Sequence, residues 1–241
     1  AALILIPQPI SAKLYTLRGT ALENNNLCPV SPESKIGGNP LHGFAEFVKN
    51  PYLLGIGMFI ILYTGIGSFV YLEQKNLLAP YSRADRATIY GIRDAVTNTI
   101  TFALAFFVTG RLVPRLGMSV ALLIVPTVIF IGMLILAVSP VLTIAVALWI
   151  ARSAGNYGLV RPCREMLFTK VDRESRFKTK PVIDIVAYRG GDVIMAWFFS
   201  SLTQGLGLGM GGVGLVGAGL AVLWGIVGFL LGRNFSDRSI T

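Results

Sequence analysis

The stretch Arg161–Lys180, RPCREMLFTKVDRESRFKTK, carries seven Lys and Arg residues and lies between two long apolar segments. Basic residues are held on the cytoplasmic side during membrane insertion, so a basic connector between apolar segments marks the inner face of a membrane protein. A soluble domain has no comparable reason to concentrate positive charge between windows this apolar. The stretch therefore predicts a chain that spans a bilayer, with residues 161–180 facing the cytoplasm.

The composition of the whole chain agrees with a membrane protein. Of its 241 residues 54% are hydrophobic and only 14% are charged, against about 25% charged in typical soluble domains. The net charge of +9 would indicate nucleic-acid binding in a soluble protein. Here most of the basic residues fall in loops and termini that one topology places on one side. We therefore expect anionic lipids at the inner face as partners, and no nucleic acid.

Windows without charged residues predict six transmembrane helices. Asn50–Leu72 is uncharged over 23 residues, enough for one helix to cross a hydrocarbon core of ~30 Å. Leu116–Ala151 is uncharged over 36 residues, too long for one helix, and Ser139-Pro140 would divide it. Val193–Gly232 is also uncharged, with the glycine-rich run Gly205–Gly214 as a connector. The predicted spans are about 50–72, 88–110, 118–138, 141–160, 182–202 and 213–231.

The distribution of Lys and Arg predicts the orientation of these helices. Six spans place both termini on one side, and this topology puts 15 Lys and Arg inside and three outside. We therefore predict an all-α integral membrane protein, with a six-helix bundle over 50–232 and cytoplasmic termini. Residues 1–49 are expected to form a cytoplasmic linker, with a short interfacial helix at Gly43–Asn50, and residues 233–241 a cytoplasmic tail. The opening AALILI is too short for a span, which is expected of a processed chain or of a fragment.

The sequence contains few of the residue combinations that enzymes use for catalysis. There is no phosphate-binding loop of the Gly-rich Lys-Ser/Thr type, and the single histidine, His42, lies in the predicted linker, where no Ser/His/Asp triad is expected. His42 is expected to be a linker residue rather than a metal ligand. Cys28 and Cys163 both fall in predicted cytoplasmic segments, so no disulfide is expected. We expect no enzymatic activity, no cofactor and no metal, and the candidates for function are the ionisable groups inside spans.

Arg152 is the clearest of these groups, because it lies near the middle of the predicted fourth helix. An unpaired charge at that depth is costly, so the guanidinium should face a cavity or an acid. Two interpretations stay open: an ion pair with Asp192, which lies at similar depth in the fifth helix, or contact with an anionic substrate. The two can alternate during transport. Asn156 shares the face of Arg152 and Tyr157 borders it.

Other polar residues in the spans have weaker patterns. Arg189 and Asp192, in the sequence YRGGD, are spaced to pair within the fifth helix. The intervening glycines favour close helix packing, with a gate as the alternative. Arg93-Asp94 near the outer end of the second helix is interpreted as structural or as part of an outer gate.

The first helix carries a half-polar face. Tyr63, Gly67 and Tyr71 share it, with Thr64 and Ser68 alongside. This face either packs against neighbouring helices or lines a pathway.

The sixth predicted helix is rich in glycine. Gly225, Gly228, Gly232 and the glycine run before them repeat in places at the spacing of small residues in helix interfaces. These glycines are expected to allow close helix packing.

The basic stretch itself contains apolar residues at helical spacing. Met166, Leu167 and Val171 predict a short amphipathic helix at the inner membrane surface, with Arg164, Lys170 and Arg173 close to lipid phosphates.

Three sequence pieces resemble known transporters. GRLVPRLG (Gly110–Gly117) resembles the loop between helices two and three in a six-helix half of the major facilitator superfamily, with Pro114 where an acidic residue is usual. The run from Ala154 to Asp192 and the PYLLGIG sequence of Pro51–Gly57 resemble bacterial relatives of the ATP/ADP translocases, which exchange NTP for NDP. The resemblance covers most of residues 40–232 and is to the second half of such a protein, helices seven to twelve.

The resemblance implies a location and a site. It implies a bacterial cytoplasmic membrane, and a cavity lined by the first and fourth helices, hence by Tyr63, Thr64, Arg152, Asn156 and Tyr157. The first half of the family fold is absent from this sequence, although two halves normally build the site between them.

Two functions are compatible with these patterns. The chain is a transporter half for a small anion, a nucleotide being one candidate, completed by a missing segment, a homodimer mate or another chain. Alternatively it is a structural subunit, a six-helix remnant that does not transport and belongs to a larger membrane complex.

Overall fold

The structure is a computed structural model that describes residues 40–171 and 173–237. These residues contain no β-strand, so the all-α prediction is confirmed for this part of the chain. Residues 1–39 of the predicted linker and the last four residues of the predicted tail lie outside the described residues. The helices are α1 Pro40–Lys49, α2 Pro51–Leu78, α3 Arg83–Ala103, α4 Gly110–Val138, α5 Leu142–Gly155, α6 Arg161–Leu167, α7 Arg173–Val182, α8 Tyr188–Ser200 and α9 Met210–Asp237.

Several of these helices are joined without a loop. A π-helical turn over Asn156–Val160 connects α5 to α6, and a second over Ile183–Ala187 connects α7 to α8. π-helical turns are often found at functional sites. Because α5 continues into α6, the basic stretch is not a loop that carries a separate surface helix. The basic stretch instead forms the end of one long helical run and the start of the next, and the chain reverses direction after Lys170.

Two local signals explain where helices begin and break. Asn50 caps α2 by accepting a hydrogen bond from the Tyr52 backbone N–H, and Pro51 occupies the first helical position, where its missing N–H costs nothing. α4 breaks at Gly117, whose φ of 79° suits glycine because it has no Cβ. The helix after this break covers 118–138.

In the part of the chain that the structure describes, three helices are long and apolar enough to cross a membrane, namely Pro51–Leu78, Arg115–Val138 and Met210–Phe235. The other predicted spans correspond to α3, which is rich in charged residues, and to α5 and α8, which are 14 and 13 residues long between π-helical turns. Six crossings and cytoplasmic termini therefore stay a prediction.

The core is centred on α2, which packs against α5, α8 and α9. Phe59, Ile66 and Phe69 of α2 are almost fully buried, and Trp224 of α9 lies with its ring centroid 5.5 Å from that of Phe59. The glycines of α9 bring it close to α4: a Cβ at Gly214, Gly228 or Gly232 would overlap α4 or α2. The packing role expected of these glycines is thus confirmed.

By contrast, α3 buries a single residue, Thr97. Large apolar side chains project from it without cover, and α8 likewise exposes Val193, Ile194 and Trp197. α3 and α8 therefore present uncovered apolar faces, while most of α2 is buried.

Candidate functional site

Arg152 occupies the interior of the helix bundle. Its side chain lies on α5, the residue is 9% exposed, and its guanidinium carbon is 4.4 Å from the centroid of the Tyr63 ring. The Nη2 atom donates to the Tyr63 carbonyl oxygen at 3.5 Å, and the indole of Trp149 lies 5.7 Å away. Stacking on aromatic faces is a geometry that guanidinium favours.

Gly67 on α2 makes room for this guanidinium. A Cβ built at Gly67 would overlap the Nη2 and Cζ atoms of Arg152. Gly67 lies one helical turn beyond Tyr63, so α2 supplies both the aromatic ring and the gap beside it. Two residues of one helix face therefore define the position of Arg152.

No carboxylate among the described residues forms an ion pair with Arg152, and its Nε has no hydrogen-bond partner there. Within the described residues and in this conformation, Asp192 forms an ion pair with neither Arg152 nor Arg189, so these two pairs stay predictions. Asp192 and Arg189 both lie on exposed parts of α8, because the buried contact of this helix is made by Gly191, whose Cβ would overlap the Thr64 hydroxyl. Successive helical residues point about 100° apart, so Asp192 turns away from α2.

The remaining residues predicted to bind substrate divide into two groups. Asn156 is buried and lies one helical turn after Arg152, and Tyr157, the next residue, is 54% exposed. The Thr64 hydroxyl instead donates to the carbonyl oxygens of Ile60 and Ile61 at 3.0 and 2.9 Å. Thr64 therefore packs α2 against α8, and its hydroxyl is already bonded within its own helix.

A second buried arginine, Arg164 on α6, lies in a cluster with acidic partners. Its Nη1 donates to the Tyr188 hydroxyl at 2.5 Å, and its Nη2 lies 3.8 Å from Asp184 and 3.6 Å from Glu165. Sequence reasoning placed Arg164 at the lipid surface, which is wrong, since the residue is 6% exposed. Leu167 and Val171 are buried in the core as well, and the Tyr52 hydroxyl donates to the Leu167 carbonyl oxygen at 3.1 Å.

The same cluster has a more exposed edge. Lys180 binds Glu165 at 2.6 Å. Burial acts to raise the pKa of Glu165, but the hydrogen bond and charge of Lys180, with the charge of Arg164, outweigh it and hold that pKa below its ordinary value. The neighbouring Cys163 is buried and free, and burial raises the pKa of its thiol to about 11.

The two arginines are connected through aromatic rings. The rings of Tyr63 and Tyr188 meet edge to face with centroids 6.4 Å apart. Arg152, Tyr63, Tyr188 and Arg164 therefore form a continuous row. Tyr188 was noted in the sequence only as part of the YRGGD run.

Arg93 and Asp94 come together near the other end of the bundle, as their adjacency suggested. Arg93 Nη2 lies 2.8 Å from Asp94, and its Nη1 donates to Gln74 on α2 at 3.2 Å. The Arg93 guanidinium also lies 4.5 Å from the ring centroid of Trp149. Trp149 thus contacts both this pair and Arg152.

Sequence reasoning missed several buried or half-buried side chains beside the Arg152 site or outside it. Gln74 and its buried neighbour Glu73 follow the uncharged window that ended at Leu72. A signal was present: Glu73 lies three and four residues after Val70 and Phe69, on the buried face of α2. Trp149 had a comparable signal, three residues before Arg152.

The apolar helices, with polar side chains buried among them, are those of an integral membrane protein. The fold matches the crystal structure of a bacterial homologue of the human lysosomal transporter Spinster, in an inward-facing and unoccupied conformation, with a TM-score of 0.59 and 19% sequence identity. The match covers 86% of this chain and 52% of that one. The chain thus has a major-facilitator-like fold and spans about half the length of the structure that it matches. No family model and no curated protein matches the chain.

Proposed function

We propose that this chain is one half of a membrane transporter that moves a small anion by alternating access, with Arg152 as the residue that binds the anion. The observation that carries the proposal is the buried guanidinium of Arg152, which has no ion-pair partner among the described residues. Burying a charge without a partner is costly. An anionic substrate would supply the missing partner for part of the transport cycle.

The chemistry around Arg152 suits a phosphate or carboxylate group. A guanidinium presents its N–H donors in a planar fork that matches such oxygens, and phosphate contacts of this kind are among the strong hydrogen bonds of proteins. The exposed ring of Tyr157 offers a surface on which a base could stack. The resemblance to ATP/ADP translocase relatives makes nucleotides the first substrates to test.

The second half of the transporter would cover α3 and α8. These helices expose apolar side chains together with Arg189, Asp192 and Asp94. This chain matches only 52% of the solved transporter. A missing segment, a second copy or another chain would complete the site, with six spans, cytoplasmic termini and anionic lipids at the basic inner face of a bacterial cytoplasmic membrane.

A direct test is anion binding and uptake by the Arg152→Gln variant. We expect the full chain, reconstituted in liposomes, to take up at least one of ATP, ADP and inorganic phosphate. Arg152→Gln should abolish this uptake, because it keeps a polar group and removes the charge. The matched control is Arg86→Gln, which removes an exposed arginine at the start of α3. Equal uptake by Arg152→Gln and the unmodified chain would refute Arg152 as the anion-binding residue.

The alternative is a structural subunit that does not transport. It is compatible with the packing of Arg152 against the Tyr63 ring, the Tyr63 carbonyl oxygen and Trp149, contacts that hold this arginine in place without an anion. In that case none of the three probe anions binds, and the chain purifies as a stoichiometric part of a larger membrane complex.

A further inference from the structure

Glu73 is a buried acid that the anion site does not use. The residue is 1% exposed, and neither carboxyl oxygen has a hydrogen-bond partner among the described residues. Its neighbour Gln74 is equally buried, and its amide nitrogen is also without a partner there. A charged carboxylate in such surroundings would lose its hydration and gain no donor in return.

The charged and titratable groups around α2 do not neutralise Glu73. None of those on the helices packed against α2 forms a hydrogen bond or ion pair with it within the described part of the chain. Arg93 bonds to the neighbouring Gln74 and pairs with Asp94 instead. The other groups on α2 and on those helices whose side chains the structure describes are Tyr52, Tyr63, Tyr71, Lys49, Lys75, Arg152, Asp184, Tyr188, Arg189, Asp192 and Arg233.

Glu73 also lies on the helix that positions the anion site. It is six residues beyond Gly67, about 9 Å along α2 at about 1.5 Å per residue, and five residues before the end of the helix. A tilt of α2 that uncovers this end would give the carboxyl access to water while moving Gly67 and Tyr63 beneath Arg152. Proton release and anion release would then be linked through one helix.

We propose that Glu73 is a proton-binding site: it holds a proton in the conformation described here and exchanges it with water when the end of α2 opens. The proton-coupling role rests on the transport function proposed above, whereas proton binding at Glu73 does not. Only a proton is transferred, between water and the carboxyl oxygen, so no other reactant is needed.

The first experiment measures the proton directly. Infrared spectra of the full chain in lipid nanodiscs should show, at neutral pH, the carbonyl stretch of a protonated carboxylic acid. Glu73→Gln should remove this band, and Asp85→Asn, which changes an exposed acid near the same end of α2, should leave it. Glu73→Asp keeps a carboxyl group at this position and should retain a shifted band, which separates loss of the proton from misfolding. A missing band in the unmodified chain, or one that persists in Glu73→Gln, would overturn the proposal.

The second experiment measures coupling in liposomes that carry a pH gradient, with ATP, ADP and inorganic phosphate as probe anions. Glu73→Gln should reduce gradient-driven uptake to the level seen without a gradient and leave anion exchange intact. An equal response to the gradient in both proteins would overturn the coupling. If the unmodified chain takes up none of the anions while its infrared band depends on Glu73, the transport function fails and the proton site stands.

Discussion

Arg152 and Arg164 lie twelve residues apart on one continuous helical run, and both are buried, but of the carboxylates that the structure describes, those in contact with either arginine all lie beside Arg164. Both guanidinium groups pack against a tyrosine, Tyr63 in one case and Tyr188 in the other. The difference is therefore in charge compensation and not in burial or aromatic packing. A buried arginine with acidic partners holds helices together, whereas a buried arginine without them can be neutralised by a bound anion.

The largest expected difference between the two arginines is the change in the free energy of unfolding when each is replaced with glutamine. Arg164→Gln should lower the free energy of unfolding by about 2 kcal/mol, because it removes a charged hydrogen bond and leaves Asp184 with less compensation. Arg152→Gln should change it by less than about 1 kcal/mol, since the loss of aromatic stacking is offset by the removal of a buried charge without an acid. Denaturant unfolding in detergent measures both.

Equal losses of stability in the two variants would contradict this difference between the arginines. Arg152 would then be a structural residue like Arg164, and the structural-subunit alternative would gain support. The Arg86→Gln protein serves as the reference for changes in surface charge.

A second test displaces the Arg152 side chain without mutating Arg152 itself. Gly67→Ala places a methyl group where the guanidinium now lies, so the side chain must leave its position over Tyr63. We expect anion binding to weaken by about tenfold, or about 1.4 kcal/mol. Gly219→Ala is the matched control, because a Cβ there has nothing within 4 Å. Calorimetric titration with the anion that the unmodified chain binds measures the change, and unchanged affinity in Gly67→Ala would show that the anion site lies elsewhere.

The burial of Arg152 could be anticipated from the sequence, whereas the aromatic ring that packs on it and the burial of Arg164 could not. A single arginine inside an apolar window must be buried or partnered, so its depth alone identified it. Arg164 is one of seven basic residues in a short stretch, and such a stretch is typical of a solvated surface. The sequence pattern is the same when one of these residues is buried. The burial of Arg164 depends on the π-helical turn after Gly155 and on Asp184 and Tyr188 of the following helical run, none of which composition reveals.

The rotation of each helix about its own axis could not be predicted from the sequence either. Spacing placed Asp192 at a depth similar to that of Arg152, yet the direction of its side chain is set by the contact between Gly191 and Thr64. The all-α class follows from apolar windows and their lengths. The extension of α2 beyond Leu72, which buries Glu73, could not be predicted in this way. An uncharged window ends by definition at the first charged residue.

The weakest effect that we predict concerns the exposed edge of the Arg164 cluster. The pKa of Glu165 is lowered below its ordinary value of 4.5, so its contribution to stability is present above that pH and is lost as the pH falls through the lowered value. Because 42% of its side chain is exposed, this contribution should be less than about 1 kcal/mol. Unfolding measured from pH 7 downwards should show Glu165→Gln less stable than the unmodified chain at pH 7, with the two converging as Glu165 becomes protonated. Lys180→Gln should move the convergence to higher pH, since it removes the partner that lowers the pKa. If the gap between Glu165→Gln and the unmodified chain stayed constant down to acidic pH, the Glu165 charge would add nothing to the cluster, and compensation of Arg164 would rest on Asp184 alone.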